Sequence, residues 1–399
     1  MRITNIRVVK VAVPFDKFGK WAPVRMWYGT RYASRHSVIF VETDEGVTGV
    51  GCARDFSEDL ILNTLRPKLV GLDPFEIEEI ARLAMGSSAG RRPDAAAGID
   101  NALWDIIGKA CHKPVYKLLG GKVHDKIRCS FWECMEPPEK QAADCKKAVE
   151  HGWRSFKIKI GVDPKTDIES VRQIREAVGD SIDLGFDVNA GYRVPTAIAT
   201  IKKMERYNPS CLEQPVAEWD LRGLAEVKRH VDVPIKCHSF YVNDPRSVLR
   251  LIELNAADML NINPDFIGSV LLCKKMAAVA ESGGIICTGQ SSAAELGPAC
   301  AGLLHLITST TAFTGTNETS SHLIERSGEI ITEPFKVKDG LLKVPEGSGL
   351  GVEVDEQKLE RCKKAYDDNL YRSEPGVIRS DPYYAGMNLY HESRFTGSQ

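Results

Sequence analysis

The sequence contains no long apolar run. No stretch reaches the roughly 18 apolar residues of a membrane helix, and the opening MRITNIRVVKVAVPF arrives at Pro14 without the apolar core of a secretion signal. Charge of one sign is not in excess either, because 52 Lys and Arg are balanced by 54 Asp and Glu, which gives a net charge of −2. We therefore expect no membrane and no nucleic-acid partner, and a cytoplasmic location.

Several chemical motifs are also missing. The eleven cysteines are odd in number, are scattered from Cys52 to Cys362 and form no CxxC pair, so neither a disulfide framework nor a zinc knuckle is expected. Gly46, Gly49 and Gly51 do not have the GxGxxG spacing and follow a hairpin-like Asp-Glu-Gly, so we interpret them as turn glycines. Gly289-Gln-Ser lacks the second glycine of a nucleophile elbow. Reduced thiols and no nucleotide loop are the expectation.

The composition is that of a globular protein: 399 residues, 43% hydrophobic and 27% charged, enough for one large domain or two. Two β-rich runs, 3–14 and 36–53, predict a small antiparallel sheet. Helical periodicity follows over Asp59–Leu69, Pro74–Met85 and Ala95–Ala110. These residues therefore predict an α+β module up to about residue 125.

From Cys129 onward, short β-rich runs alternate with amphipathic helices, as in parallel βαβ units. Polar residues end these runs at intervals of 25–28 positions, about the length of one strand, one helix and two loops in a β/α barrel. The carboxyl ends of barrel strands surround one mouth, so these side chains should share a cavity. They are Lys159, Asp187, Glu213, His238, Asn263 and Thr288.

Asp187, Glu213 and His238 would provide two carboxylates and one imidazole at neighbouring strand ends. This donor set suits a divalent ion, above all Mg²⁺ or Mn²⁺. Taken singly, each acidic residue has the alternative of a helix cap or an ion pair, and His238 that of a core histidine. The regular spacing favours the metal site, since two facing carboxylates need either a metal cation or lysines between them.

Lys157 and Lys159 alternate on one predicted strand, FKIKIG, so both should point into the barrel lumen. The alternative is a solvated pair on an edge strand. A buried lysine beside a cation has a lowered pKa and can act as a base, although facing carboxylates oppose that shift. Metal and lysine together favour removal of a proton next to a carboxylate.

At this point the sequence resembles the enolase superfamily, in its mandelate racemase and muconate-lactonizing branch. The resemblance is carried by FKIKIG, FDVNAGY, LEQP and GIDNALWDIIGKACHKPVYKLLGG, in the family's order. It implies an α/β fold with a capping domain (1–128), a modified (β/α)₇β barrel (129–330) and a C-terminal segment that completes both (331–399). It also implies Mg²⁺ on Asp187, Glu213 and a third ligand, with Lys159 as base and Lys157 as carboxylate-binding partner.

Departures from the family pattern narrow the function. The third ligand falls on His238, similar to a small set of acid-sugar dehydratases, and Asn263 replaces a second acid–base residue. An amide cannot abstract a proton from carbon, so we expect one base and β-elimination of water to a 2-keto-3-deoxy acid. The alternatives are an epimerase, racemase or cycloisomerase of the same family, or an inactive binding homologue. Relatives imply a homo-oligomer, from dimer to octamer.

Other residues are candidates for the acid and for substrate contacts. His322 or Glu325 could protonate the leaving hydroxyl, with a core or surface position as the alternative for His322, and Lys159 itself could return its proton. Asn189 could bind the substrate or be a turn residue. The polar, aromatic segment before residue 33 predicts a lid over an acid sugar. The remaining predicted substrate contacts are Gln290, Arg25, Trp27 and Tyr28.

Overall fold

The structure is a computed structural model that describes residues 1–18, 20–26, 29–86, 93–161, 163–290, 296–319, 321–324 and 329–375. Its strands are β1 (Ile3–Pro14), β2 (Asp16–Lys17), β3 (Lys20–Trp21), β4 (Val24–Met26), β5 (Gly29–Arg31), β6 (Ala33–Thr43), β7 (Thr48–Arg54), β8 (Ile127–Glu133), β9 (Ser155–Lys159), β10 (Asp183–Asp187), β11 (Cys211–Glu213), β12 (Ile235–His238), β13 (Met259–Ile262), β14 (Ile286–Gly289), β15 (Asn317–Glu318), β16 (Leu341–Leu342) and β17 (Glu374–Pro375). Its α-helices are α1 (Arg66–Leu69), α2 (Ile77–Met85), α3 (Pro93–Ala110), α4 (Val115–Leu118), α5 (Pro138–Glu150), α6 (Pro164–Val178), α7 (Val194–Met204), α8 (Leu221–His230), α9 (Pro245–Glu253), α10 (Pro264–Ile267), α11 (Val270–Ser282), α12 (Gly297–Thr308) and α13 (Glu356–Asp367). At β8 the element order changes to alternating strands and helices.

The first part of the chain forms the predicted antiparallel sheet, in the order β1-β6-β7. Gly46 lies in the turn between β6 and β7 with φ +77°, as expected. Gly49 and Gly51, however, lie inside β7, and a Cβ on Gly51 would come within 1.9 Å of the Gly98 carbonyl oxygen of α3. Their interpretation as turn glycines is therefore wrong: they let α3 pack directly on the backbone of β7.

The predicted helices of this part are present with shifted ends. A π-helix over Leu60–Leu65 continues into α1, where one helix over Asp59–Leu69 is predicted. The helix predicted from Pro74 begins at Ile77 as α2, and the one predicted from Ala95 begins earlier, at Pro93, as α3. Nearly all of α3 is buried, which explains its apolar character on more than one face.

The second part is the predicted barrel. Its strands are parallel in the order β14-β13-β12-β11-β10-β9-β8-β15, and the Gly289 amide of β14 donates to Asn317 Oδ1 of β15 (2.7 Å), so the ring is nearly closed. Seven helices of nine or more residues connect the eight strands in the described chain, with the four-residue α10 preceding the sixth of them: α5, α6, α7, α8, α9, α11 and α12. This confirms the modified (β/α)₇β fold. The first strand of the barrel, β8, begins at Ile127, two residues before the predicted start of the barrel domain at residue 129.

Two buried carboxylates of α3 hold the parts together. Asp105 accepts hydrogen bonds from the amides of Val50 in β7 (3.0 Å) and Leu350 in the C-terminal segment (2.9 Å). Asp100 accepts one from the amide of Val270, the first residue of α11 (2.9 Å). One helix thus fixes the capping sheet, the C-terminal segment and the barrel relative to each other.

The C-terminal segment contacts both parts. β16 pairs antiparallel with β8 of the barrel, and α13 packs on β1 of the capping sheet. β17 pairs with β5, which belongs to the segment predicted to form a lid. All eleven cysteines are unpaired, and every one except Cys111 is buried. No helix of the described ranges is long and apolar enough to cross a bilayer.

Candidate active site

Both lysines of β9 point into the lumen and are buried, as the alternation predicts. Lys159 Nζ donates to Asp187 Oδ2 (2.6 Å) and to Asn189 Oδ1 (3.1 Å), and lies 5.8 Å from the centre of the Trp132 ring. Burial lowers the pKa of Lys159, and the charge of Lys157 adds to this, while Asp187 opposes it. A lysine whose pKa is lowered in this way is suited to act as a base.

Asp187 and Glu213 are direct partners in the β10–β11 register, so their side chains lie side by side. Lys157 Nζ lies between them, 3.1 Å from Asp187 Oδ2 and 2.8 Å from Glu213 Oε1. Burial acts to raise the pKa of both carboxyls, but the lysines outweigh it and hold both pKa values below their usual range. Both carboxylates are therefore ionised at neutral pH.

Asn189 lies beside this pair. It follows β10 in the left-handed region at φ +49°, and its amide donates to Asp187 Oδ1 (2.9 Å). The structure thus places Asn189 in the predicted mouth, in contact with both Lys159 and Asp187.

His238 ends β12 on the other side of Glu213. Its Nε2 lies 3.0 Å from Gln290 Oε1, and its ring meets that of Phe266 edge-on at 5.4 Å. Burial lowers the pKa of His238 to about 4, so the ring is neutral at pH 7. An acceptor at Gln290 places the proton on Nε2 and leaves a lone pair on Nδ1, which is buried and has no hydrogen-bond partner among the described residues.

Asp187, Glu213 and His238 are the predicted ligands of a divalent ion. No three His, Cys, Asp or Glu side chains within the described part of the chain converge as metal ligands, because lysines occupy the space between the carboxylates. The types of donor nevertheless fit: two ionised carboxylates and a neutral imidazole whose Nδ1 has no hydrogen-bond partner in the described part of the chain. Asp187, Glu213 and His238 are therefore the residues that would hold such an ion.

Three lumen residues were missed by the sequence analysis. Lys236 Nζ lies 3.1 Å from Glu213 Oε2 and 3.2 Å from Glu318 Oε1, and Lys157 lies 2.7 Å from Glu318 Oε2. Asn261 Nδ2 donates to Glu213, Glu318 and Gln290 at 3.0–3.1 Å. A signal was present for Lys236, which precedes His238 by two positions, the same spacing as in the β9 lysine pair.

The side chain of Asn263, the residue after β13, forms the N-terminal cap of α10. Its side-chain oxygen accepts from the Asp265 amide (3.0 Å) and caps α10, and its own amide donates to Ser239 Oγ (2.8 Å). The sixth strand therefore contributes Asn261, two residues earlier, to the lumen.

The predicted acid and lid residues are spread out. The His322 ring packs on Phe131 (4.7 Å) and Trp153 (5.2 Å), and its Nε2 lies 3.4 Å from the Trp132 carbonyl oxygen. Arg25 forms an ion pair with Glu136 (3.3 Å) and its carbonyl accepts from the Met135 amide. Trp27, Tyr28 and Glu325 lie outside the described residues.

Fold and site together define a capped β/α-barrel protein with an acid–base site at the carboxyl ends of its strands. Residues 7–120 match the N-terminal domain of mandelate racemase and muconate lactonizing enzyme, and residues 140–358 match the enolase C-terminal-domain-like family. The chain belongs to the enolase superfamily, in the branch that these two domains define.

Relatives of known activity fall into two groups. N-succinyl-L-Arg/Lys racemase of Bacillus cereus is 29% identical over 90% of this chain and 97% of its own length, and L-Ala-D/L-Glu epimerase of Clostridium acetobutylicum is 32% identical over 72% and 81%. D-galactonate dehydratase of Pectobacterium atrosepticum is 32% identical over 87% and 97%. The branch thus contains racemases, epimerases and dehydratases.

Solved structures agree on the fold. The crystal structure of the B. cereus racemase superposes with a TM-score of 0.84 at 28% identity, covering 91% of this chain and 98% of that one. A dipeptide epimerase of Enterococcus faecalis complexed with Mg and the dipeptide L-Leu-L-Tyr has a TM-score of 0.78 at 26% identity, covering 88% and 100%. Mg²⁺ is thus bound by a relative of the same architecture.

Proposed function

We propose that this protein is a Mg²⁺-dependent acid-sugar dehydratase that converts an aldonate or aldarate to a 2-keto-3-deoxy acid. The observation that carries the proposal is that Lys159 faces amides and a hydroxyl across the lumen. The described residues at the ends of β13 and β14 that point inward are Asn261, Thr288 and Gln290. None of these three can remove a proton from carbon, so none of the described residues at these two strand ends opposes Lys159 as a second base.

In this mechanism Lys159 takes the proton from the carbon next to the substrate carboxylate. The electron pair forms a carbon–carbon double bond, the hydroxyl on the next carbon leaves as water, and the resulting enol becomes a ketone beside a new methylene. A divalent ion held by Asp187, Glu213 and His238 would supply positive charge to the substrate carboxylate.

The other residues of the mouth position the substrate. Lys157 adds a fixed positive charge beside the substrate carboxylate, and Asn189 and Gln290 offer amides for hydroxyl groups. Lys159, once protonated, can return its proton to the leaving hydroxyl if both depart from one face. A D-galactonate dehydratase among the relatives supports this reaction type.

A second candidate is an epimerase, favoured by the racemase and epimerase relatives and by one feature of the site. His238 is neutral, and its buried Nδ1 has no hydrogen-bond partner within the ranges that the structure describes. If His238 is not a metal ligand, this nitrogen could exchange a proton with the substrate face opposite to Lys159.

Proton NMR in D₂O separates the two candidates. The protein with Mg²⁺ is incubated with pooled aldonates and aldarates and, separately, with N-succinyl-L-arginine and L-Ala-L-Glu. The proposal predicts methylene signals of a 2-keto-3-deoxy acid from the first pool, absent with Lys159→Met and unchanged with Lys165→Met, an exposed lysine of α6. Loss of an α-proton signal without a methylene product, from either pool, would overturn dehydration in favour of epimerisation.

A further inference from the structure

The lumen contains a balanced set of charges formed by the protein alone. Three carboxylates and three lysines lie within one connected set of ion pairs of 2.6–3.2 Å. The carboxylates belong to Asp187, Glu213 and Glu318, and the lysines are Lys157, Lys159 and Lys236. The third predicted ligand, His238, is neutral and adds no negative charge to this set.

Lys236 is the third lysine, which brings the number of positive charges up to that of the carboxylates. It is buried, lies next to Glu213 in the β11–β12 register, and bridges that carboxylate to Glu318 across the lumen. Asn261 reinforces the bridge, since its side-chain amide donates to both carboxylates (3.1 Å each). Without Lys236, three buried carboxylates would share two lysines, and one buried negative charge would be left uncompensated in the metal-free protein.

We propose that Lys236 is a positioning residue that holds Glu213 and Glu318 in place before any divalent ion binds, and that its charge weakens the binding of that ion. The inference rests on the divalent-ion site proposed above. Lys236 repels a cation at Glu213 and competes with it for the Oε2 atom that it faces at 3.1 Å. The site is thus assembled in the metal-free protein and takes the ion with reduced affinity.

The test compares variants that remove a positive charge from the lumen with variants that remove a negative one. Mg²⁺ binding to the full chain is measured by calorimetry for the wild type, Lys236→Met, Glu318→Gln and the double variant. Loss of the positive charge should lower the Kd for Mg²⁺ by about tenfold or more, and loss of the negative charge should raise it by about tenfold or more. The double variant, again balanced, should lie between the two.

A second readout is thermal stability without and with Mg²⁺. Metal-free Lys236→Met should melt below the wild type, and Mg²⁺ should raise its melting temperature more than it raises that of the wild type. The matched control is Lys228→Met, which removes a lysine paired with Asp258 (3.0 Å) outside the lumen and should leave the Kd for Mg²⁺ unchanged.

Damage to folding alone would weaken metal binding in both single variants. Shifts of the same direction in Lys236→Met and Glu318→Gln, or an unchanged or raised Kd in Lys236→Met, would therefore overturn the inference while leaving the dehydratase proposal intact. If Lys236→Met is not folded even with Mg²⁺, Glu318→Gln decides, and an unchanged or lowered Kd there overturns it. Absence of Mg²⁺ binding in every protein would overturn this inference and the metal site together.

Discussion

Lys17 is a largely buried lysine that links the predicted lid to the barrel, and Lys17→Met tests how much this ion pair contributes to stability. Lys17 Nζ lies 2.6 Å from Glu133 Oε2 and 2.8 Å from Asp144 Oδ2. The Glu133 side chain is fully buried at the end of β8, and that of Lys17 is 11% exposed. Methionine has a similar length but removes the charge, so Glu133 would remain buried with its main cation missing.

The magnitude follows from burial. Breaking a buried ion pair by removing one partner costs about 3–5 kcal/mol of unfolding free energy, because the other charge is left uncompensated. Burial raises the pKa of Glu133 to about 7 even though Lys17 opposes this, and without Lys17 the pKa of Glu133 rises further. The folded state then holds a proton that the unfolded state has released, so the loss of stability in Lys17→Met grows as the pH increases from 5.5 to 8.

Urea unfolding followed by tryptophan fluorescence measures this loss at pH 5.5 and pH 8. The double variant Lys17→Met/Glu133→Gln is the control, since a neutral amide no longer needs a cation; it should regain more than half of the lost stability at pH 8. A loss below about 1 kcal/mol at pH 8, an equal loss at both pH values, or no recovery in the double variant would refute the reasoning.

Three further predictions concern the framework. Burial raises the pKa of Asp100 to about 7, far above its usual value, so its contribution to stability is present at low pH and is lost as the pH rises from about 4 to 7. Asp100→Asn should therefore gain unfolding free energy relative to the wild type between pH 5 and pH 8, and a constant difference in urea unfolding would contradict this. Asp105→Ala leaves the buried amides of Val50 and Leu350 without an acceptor and should lose about 2–4 kcal/mol, whereas a loss within 0.5 kcal/mol would show that water replaces the carboxylate. Because Cys111 is the exposed thiol among eleven, a thiol-specific colorimetric reagent should titrate one group in the folded protein, none in Cys111→Ser, and all eleven in denaturant; rapid reaction of several groups in the folded protein would contradict the burial.

Much of the barrel could be predicted from sequence because the polar side chains of the site alternate along the strands and recur at the spacing of successive β/α units. Lys157 and Lys159 alternate on β9, and the spacing from Lys159 to Asp187 and Glu213 is that of successive β/α units. The structure brings these residues together through strand register alone. Element ends were harder to predict, since they depend on packing against neighbours rather than on local periodicity.

The residues that sequence analysis missed are those defined by partners far away in the chain. The ion pair between Glu318 and Lys236 forms only because β15 and β12 face each other across the lumen, which the local sequence does not show. Gly49 and Gly51 resemble turn glycines until α3 is packed against them. The side-chain oxygen of Asn263, a residue that spacing assigns to the mouth, also caps α10, and spacing alone does not show this contact.

The most direct test of a single base at Lys159 is the position of solvent deuterium in the product. A substrate that is turned over is incubated in D₂O with Mg²⁺, and recovered substrate and product are examined by proton NMR and mass spectrometry. The mechanism with Lys159 as single base predicts one deuterium in the product methylene, recovered substrate of unchanged configuration, and no reaction in Lys159→Met. Recovered substrate with inverted configuration, or turnover that persists in Lys159→Met, would contradict it and show that another residue abstracts the proton.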